Sequence, residues 1–263
     1  MVGLSSAPVP DPRLSLVFPA FREAARLGRT VAAARAFLEA QVPEWEMVLA
    51  VDGGGETLAV AEAEAARDPR VIVMAAAERR GKGRAVREAM ARARGRAVGF
   101  MDADGKVSCD AIAVALAALD EGWDVVIGSR RAPGARVETP RPLHRRWGSL
   151  GFRAAVWLLL PALRGVPDTQ CGFKFFRREA AQDLFARQRV DGYMFDVELL
   201  LLAAGAGYRV KQVGLRWSDD GDSRLDVLSG NWRNLVDLLR IRWNGAQASQ
   251  STKSSSRGVP RNA

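Results

Sequence analysis

Short apolar runs alternate with helix-patterned stretches through the first half of the chain, and this alternation narrows the possible folds more than any other feature. The runs are LSLVF (14–18), EMVLAVD (46–52), RVIVM (70–74), AVGFM (97–101) and DVVIG (124–128), with alanine-rich segments between them. After the first run, Leu27, Val31, Ala34 and Leu38 fall on one helical face. Strands and helices in this order predict an α/β chain: a Rossmann-like, mostly parallel sheet covered by helices on both faces. Such sheets bind ligands beyond the carboxyl ends of their strands. Asp52, Asp102 and the segment from Gly128 to Arg130 all stand at such ends.

The second half is less regular. A helix is expected over 147–160, a turn at GVPD, a strand at GFKFF (172–176) and a helix from Glu179. A buried helix follows over 196–207 and closes on glycine, then an alternating strand over 209–217 and an amphipathic helix over 231–243. Residues 1–12 read as an N-terminal extension, and 244–263, rich in Ser, Gln, Gly and Arg, as a disordered tail. Between them, 13–243 reads as one domain, with a regular half (13–130) and a less regular half (131–243).

Composition excludes several classes. His144 is the only histidine, which argues against histidine zinc sites and Ser-His-Asp catalysis. Two cysteines, Cys109 and Cys171, make no disulfide framework and point to a reducing, cytoplasmic setting. The N-terminus lacks a signal-peptide pattern, and no apolar stretch reaches the roughly 18 to 20 residues of a membrane span. The net charge of +9, of which Lys253, Arg257 and Arg261 of the tail supply +3, suits an anionic or phosphate-bearing partner. Nucleic acid is the weakest such partner: carboxylates at strand ends repel phosphate, and aromatics total 7% with no stacking pattern.

Two familiar glycine motifs are absent. PAFREA, not GxGxxG, follows the first strand; near Gly81-Lys82, Ala76 and Gly83 break the Walker A pattern. The stronger signal is Asp102-Ala103-Asp104. Two carboxylates one residue apart at a strand end repel unless a cation or donor lies between them. A hard ion with oxygen ligands, Mg²⁺ or Mn²⁺, relieves that repulsion and can also bridge a diphosphate leaving group. Read alone, D-A-D-G is a turn; its place after the fourth strand favours the ion. Asp52, ahead of three glycines, can accept from a base or ribose or simply begin a turn, and Lys82 can meet a phosphate or nucleobase or stay a solvated lysine. Arg130, Arg131, Arg145, Arg146 and Ser149 suit phosphate, and they adjoin the apolar segment 152–163. Basic residues beside an apolar helix suggest a lipid phosphate at a membrane surface.

With these motifs in view, the chain resembles the inverting GT-A (family 2) glycosyltransferases that load a sugar onto a polyprenyl phosphate, dolichyl-phosphate β-glucosyltransferases above all. FPAFRE (18–23), VDGGGET (51–57), RGKGRAVREAM (80–90), DADGK (102–106), DTQCGFKFF (168–176) and FDVELL (195–200) carry the resemblance, with DTQCGFK the most specific. It implies a nucleotide-sugar donor, UDP-glucose first and GDP-mannose second. Pro19, Ala20, Glu23 and Asp52 would hold the nucleoside, Lys82 would lie near the base, and Asp102, Ala103 and Asp104 would meet metal and diphosphate. Arg130, Arg131, Arg145, Ser149 and Lys174 would bind the acceptor phosphate; Asp168, Gln170 and Lys174 would line the sugar region; Ser223 and Arg224 would close over the diphosphate. Asp168 or Asp196 would be the base if the acceptor were an alcohol. The chain departs from the family at Gly53, Arg22, Gly55 and Asp222, which bears on base selectivity. The resemblance implies peripheral contact with the inner face of a membrane or with a membrane partner. The alternative is the same fold acting on a soluble carbohydrate or small-molecule hydroxyl.

Overall fold

The computed structural model describes residues 11–138, 143–218, 234 and 236–243, with 143–149 as backbone only. Ser223, Arg224, the side chains of Arg145 and Ser149, most of the expected N-terminal extension and the tail lie outside the described residues. The elements run β1 (Leu14–Ala20), α1 (Ala24–Gln41), β2 (Trp45–Asp52), α2 (Glu56–Arg67), β3 (Val71–Ala76), α3 (Lys82–Arg92) and β4 (Ala97–Met101). They continue α4 (Asp110–Asp120), β5 (Val125–Ser129), β6 (Arg136–Val137), α5 (Leu143–Leu159), a 3₁₀ turn (Pro161–Leu163), β7 (Phe173–Arg177), α6 (Arg178–Arg187) and α7 (Phe195–Ala206). Strands β8 (Val210–Gly214) and β9 (Arg216–Trp217) follow, and 236–243 is helical.

Seven strands make one sheet in the order β3-β2-β1-β4-β7-β5-β8. Strand β1 pairs in parallel with β2 and β4, β2 with β3, and β5 with β8. Strand β7 runs antiparallel between β4 and β5. Every residue of β1, β2, β4 and β5 is buried, as expected where helices cover both faces of a parallel sheet. One face packs Leu14, Leu16 and Phe18 against Leu27, Val31, Ala34 and Leu38 of α1 and Ile112 of α4. The other packs Val17 and Phe100 against Val86 of α3, Val156 of α5, Leu184 of α6 and Val197 of α7. Burying each such large apolar side chain stabilises the fold by about 1.5–3 kcal/mol.

The single strand expected over 209–217 is instead two. Leu215 marks the change of partner: its amide still donates to Ser129 O of β5, but its carbonyl accepts from Arg136. From there β9 pairs with β6, a two-residue exposed strand with no apolar pattern to announce it. Helix α5 begins at Leu143, ahead of the expected 147.

Candidate active site

The DADG loop leaves the carboxyl end of β4 and is held on three sides. Asp102 N–H donates to Gly172 O at 2.9 Å, tying the loop to the turn before β7. Thr30 of α1 donates its hydroxyl to Ala103 O at 3.0 Å, and Lys106 N–H donates to Asp104 Oδ1 at 3.1 Å. The Asp102 carboxylate lies directly against the Cα of Gly172; a Cβ there would come closer than 3.0 Å to Cγ and both oxygens. Only glycine at 172 leaves the carboxylate where it is.

Lys82 Nζ donates to Asp102 Oδ1 at 2.6 Å. Lys82 opens α3, behind Gly81, whose φ of 109° is a conformation that side-chain-bearing residues avoid. Asp52 shapes this turn: its two oxygens accept from Arg80 N at 2.7 Å and Gly81 N at 2.8 Å. Burial opposes the Lys82 charge, yet the charges of Asp102 and Asp196 outweigh it and raise its pKa. Asp104 receives less relief: burial outweighs the downward pull of Lys106 and Lys82 on its pKa. Burial, and then the charge of Asp102, push its pKa up to about 6. Two carboxylates this close favour a cation between them. Among the described residues no three His, Cys, Asp or Glu side chains cluster as a full metal cage. Two hard oxygen donors beside an open cleft fit Mg²⁺ or Mn²⁺ sharing its remaining positions with water and a ligand's phosphates.

A second pair of ions stands farther along the sheet edge. Arg130 donates to Asp168 through its backbone N–H and Nε, each at 2.8 Å, and through Nη2 at 2.5 Å. Burial favours a protonated Asp168, but Arg130 overrides it and holds the carboxyl below its ordinary value. A carboxylate so engaged is a weak base. Lys174 corrects an expectation. It is 0% exposed, and its ammonium is taken up by Asp196 Oδ1 at 2.6 Å and by the carbonyls of Thr169 and Cys171 at 3.0 and 2.8 Å. A lysine with its three donors so placed, on a strand covered on both faces, underpins the site and is not open to an acceptor phosphate. Burial raises the Asp196 carboxyl, against the opposing pull of Lys174. It also pushes the Cys171 thiol up to about 12, which makes that cysteine inert.

A cleft of about 440 Å³ opens over the carboxyl ends of β1, β2 and β4. Of the expected residues it brings together Pro19, Ala20, Glu23, Asp52, Lys82, Asp102, Ala103, Asp104, Gln170 and Asp196. Arg130, Arg131, Asp168 and Lys174 do not line it. Trp217 joins the two regions, with Lys106 from the cleft and Arg130 both 5.7 Å from its ring centre. Sequence reasoning missed Phe21, Arg26, Arg79, Lys106 and Tyr193, all of which line the cleft. Arg79 and Arg22 lie 4.4 and 5.2 Å from the centre of the Phe21 ring, and that ring rests on Gly53 at 3.6 Å from where a Cβ would stand. Arg22 has a φ of 56°, rare for a residue with a side chain. The departures at Arg22 and Gly53 were the available signal, and they belong to one cationic and aromatic corner.

Residues 15–185 match Glycosyl transferase family 2. The chain is 37% identical over 248 residues to a Drosophila melanogaster protein named dolichyl-phosphate beta-glucosyltransferase, covering 89% of this chain and 75% of that one. It is 29% identical to the Homo sapiens protein of that name, covering 89% and 76%. Among solved structures, glucosyl-3-phosphoglycerate synthase from Mycobacterium tuberculosis, in complex with Mn²⁺, UDP and glucosyl-3-phosphoglycerate, aligns with a TM-score of 0.67 at 21% identity, covering 88% of this chain and 80% of that one. That likeness establishes the GT-A fold expected from the sequence. On sequence and architecture together, the chain belongs to glycosyltransferase family 2.

Proposed function

We propose that this protein transfers glucose, with inversion, from UDP-glucose to a dolichyl-type polyprenyl phosphate. The observation that carries the reading is the Asp102–Lys82 pair beside a protonation-prone Asp104, at the open end of β4 in a cleft. The names of the relatives supply the sugar and the acceptor class. Asp102 and Asp104 would hold Mg²⁺ or Mn²⁺, and a cation bound there offsets the charge of the leaving diphosphate. Pro19, Glu23 and Asp52 line the cleft, and we assign them to the donor. We assign donor binding to 13–130 and acceptor binding to 131–243.

The chemistry needs no strong base. A phosphate monoester has a second pKa near 6 and is largely dianionic at neutral pH. One of its oxygens attacks the anomeric carbon as the bond to the diphosphate breaks, and the electron pair leaves with the diphosphate. In-line displacement turns an α-linked donor into a β-linked product. The protein positions the reactants and stabilises charge. We assign Lys82, held by Asp102, to the departing diphosphate, and Arg130, oriented by Asp168, to the acceptor phosphate. The engagement of Asp168 by Arg130 and of Asp196 by Lys174 suits these carboxylates to orienting cations. A water-borne donor and a lipid acceptor call for a membrane surface, which we assign to the inner face.

The test is to incubate the full chain with Mn²⁺, UDP-glucose or GDP-mannose, and either a short polyprenyl phosphate or free sugars. The reading expects β-linked glucosyl phosphate on the lipid from UDP-glucose. Glucose found only on sugar hydroxyls would overturn the acceptor, and mannose transfer alone would overturn the donor.

A further inference from the structure

From residue 150 onward helix α5 lies on the surface, yet the side it turns to solvent is apolar. Leu150, Gly151, Ala154 and Leu158 are its exposed residues from 150 onward, a stripe at helical spacing. Leu158 is 74% exposed. The helical residues 236–243 pack beside its end: Arg242 donates to Leu159 O at 2.6 Å, and Leu238 and Ile241 share a core cluster with Val156 and Leu160. Their outer side carries Leu239 and Trp243, 49% and 70% exposed and one helical turn apart. Of seven large hydrophobic side chains exposed among the described residues, four stand on these two helices. Singly exposed apolar residues are ordinary, whereas a contiguous apolar patch rimmed by charge marks a contact surface.

The rim is cationic. From 139 to 167 the sequence has no carboxylate and five arginines. Arg153 lies over the Trp157 ring at 5.0 Å, Arg164 donates to Trp157 O at 3.3 Å, and Arg240 and Arg242 stand in the helical turn before Trp243. Asp237 is the one acid on the described part of the second helix. Apolar side chains ringed by arginine, on helices too short and too charged to span, match a surface that lies in the headgroup layer of an anionic bilayer; among the described residues no helix is long and apolar enough to cross one. Arg164 stands four positions before Asp168, no more than about 14 Å from it, so the cationic rim leads toward the Arg130–Asp168 pair.

We propose that Leu150, Leu158, Leu239 and Trp243, with Arg153, Arg164, Arg240 and Arg242, form a docking surface for an anionic membrane, presenting the acceptor lipid to the sheet edge. The lipid acceptor is the reading given above; the docking itself needs neither donor nor acceptor. The full chain is floated with vesicles of phosphatidylcholine alone or mixed with phosphatidylglycerol, without substrate. It partitions to the anionic vesicles, and added salt weakens that binding. Leu158→Glu and Trp243→Glu each lower partition about ten-fold or more, while Val114→Glu, at a 52% exposed site on α4 across the sheet, leaves it unchanged. Equal loss in all three variants, wild-type partition in the first two, or indifference to phosphatidylglycerol overturns the proposal. So does a dimer in solution that Leu158→Glu dissociates, since a second copy is then the occupant. Transfer to a water-soluble short-chain polyprenyl phosphate, without vesicles, reports separately on the catalytic reading. Docking without transfer refutes that reading alone, and transfer without docking refutes this one.

Discussion

Gly172→Ala places one methyl group against the Asp102 carboxylate and so tests whether the position of that group matters. The new Cβ would stand closer than 3.0 Å to all three carboxyl atoms. Neither backbone can give way freely, because Asp102 N–H is bonded to Gly172 O and β7 is laddered to β4 from Phe173 onward. The side chain of Asp102 must yield instead. Restoring contact distance takes a shift on the order of 1 Å, which at a reacting centre costs about 10²-fold in rate, or about 2.7 kcal/mol. The stability cost of such overpacking, about 1–3 kcal/mol, is below the roughly 5–15 kcal/mol by which domains are stable, so the folded variant can be assayed. Its kcat/KM for UDP-glucose should fall about 100-fold, with weakened Mn²⁺ binding. A folded variant with wild-type kcat/KM and wild-type Mn²⁺ affinity refutes the idea that this carboxylate's position sets the chemistry.

Three further outcomes follow from the charges of the site. Asp104, raised to about 6 when folded against 3.8 for the ordinary group, binds a proton that the unfolded chain has shed; with chelator present, urea stability should decline as pH rises from about 4 through 6, and Asp104→Asn should flatten that slope. Lys174→Met leaves Asp196 buried without its cation, a loss of about 3–5 kcal/mol measurable as a lower urea midpoint; adding Asp196→Asn should recover part of it. Lys82→Met frees Asp102 Oδ1, so Mn²⁺ alone should bind at least about five-fold more tightly by calorimetry, while UDP-glucose binds more weakly; tighter binding of both would contradict the role given to the ammonium.

Much of the fold was legible because buried parallel strands write themselves as unbroken apolar runs. AVGFM is strand β4 residue for residue, and the others differ by a residue or two at their ends. The antiparallel insertion of β7 was not legible, since neighbours are chosen by long-range packing that local pattern does not record. At the site, the carboxylates flanking Ala103 and the lysine after Gly81 were found, because each interrupts an apolar or glycine pattern at a strand or helix end. Lys174 was misread as reaching for phosphate. The signal lay in GFKFF itself: Phe176 shares the face of Lys174, and Phe173 and Phe175 pack on the other, so the lysine had to be buried and to find a carboxylate. Asp196 supplies it from α7, a partner 22 residues away that no spacing rule connects. The Phe21, Arg22 and Arg79 corner was missed for the same reason, being assembled from two loops.

The claim that two carboxylates at the end of β4 grip a divalent ion together with a nucleotide diphosphate is tested most directly by Mn²⁺ titration followed by electron paramagnetic resonance. It is run with and without UDP-glucose, on the wild-type chain and on Asp102→Asn. The account predicts that Mn²⁺ and UDP-glucose tighten each other's binding by the same factor in the wild type, and that the variant loses this coupling while keeping its fold. Undiminished coupling in Asp102→Asn would contradict it.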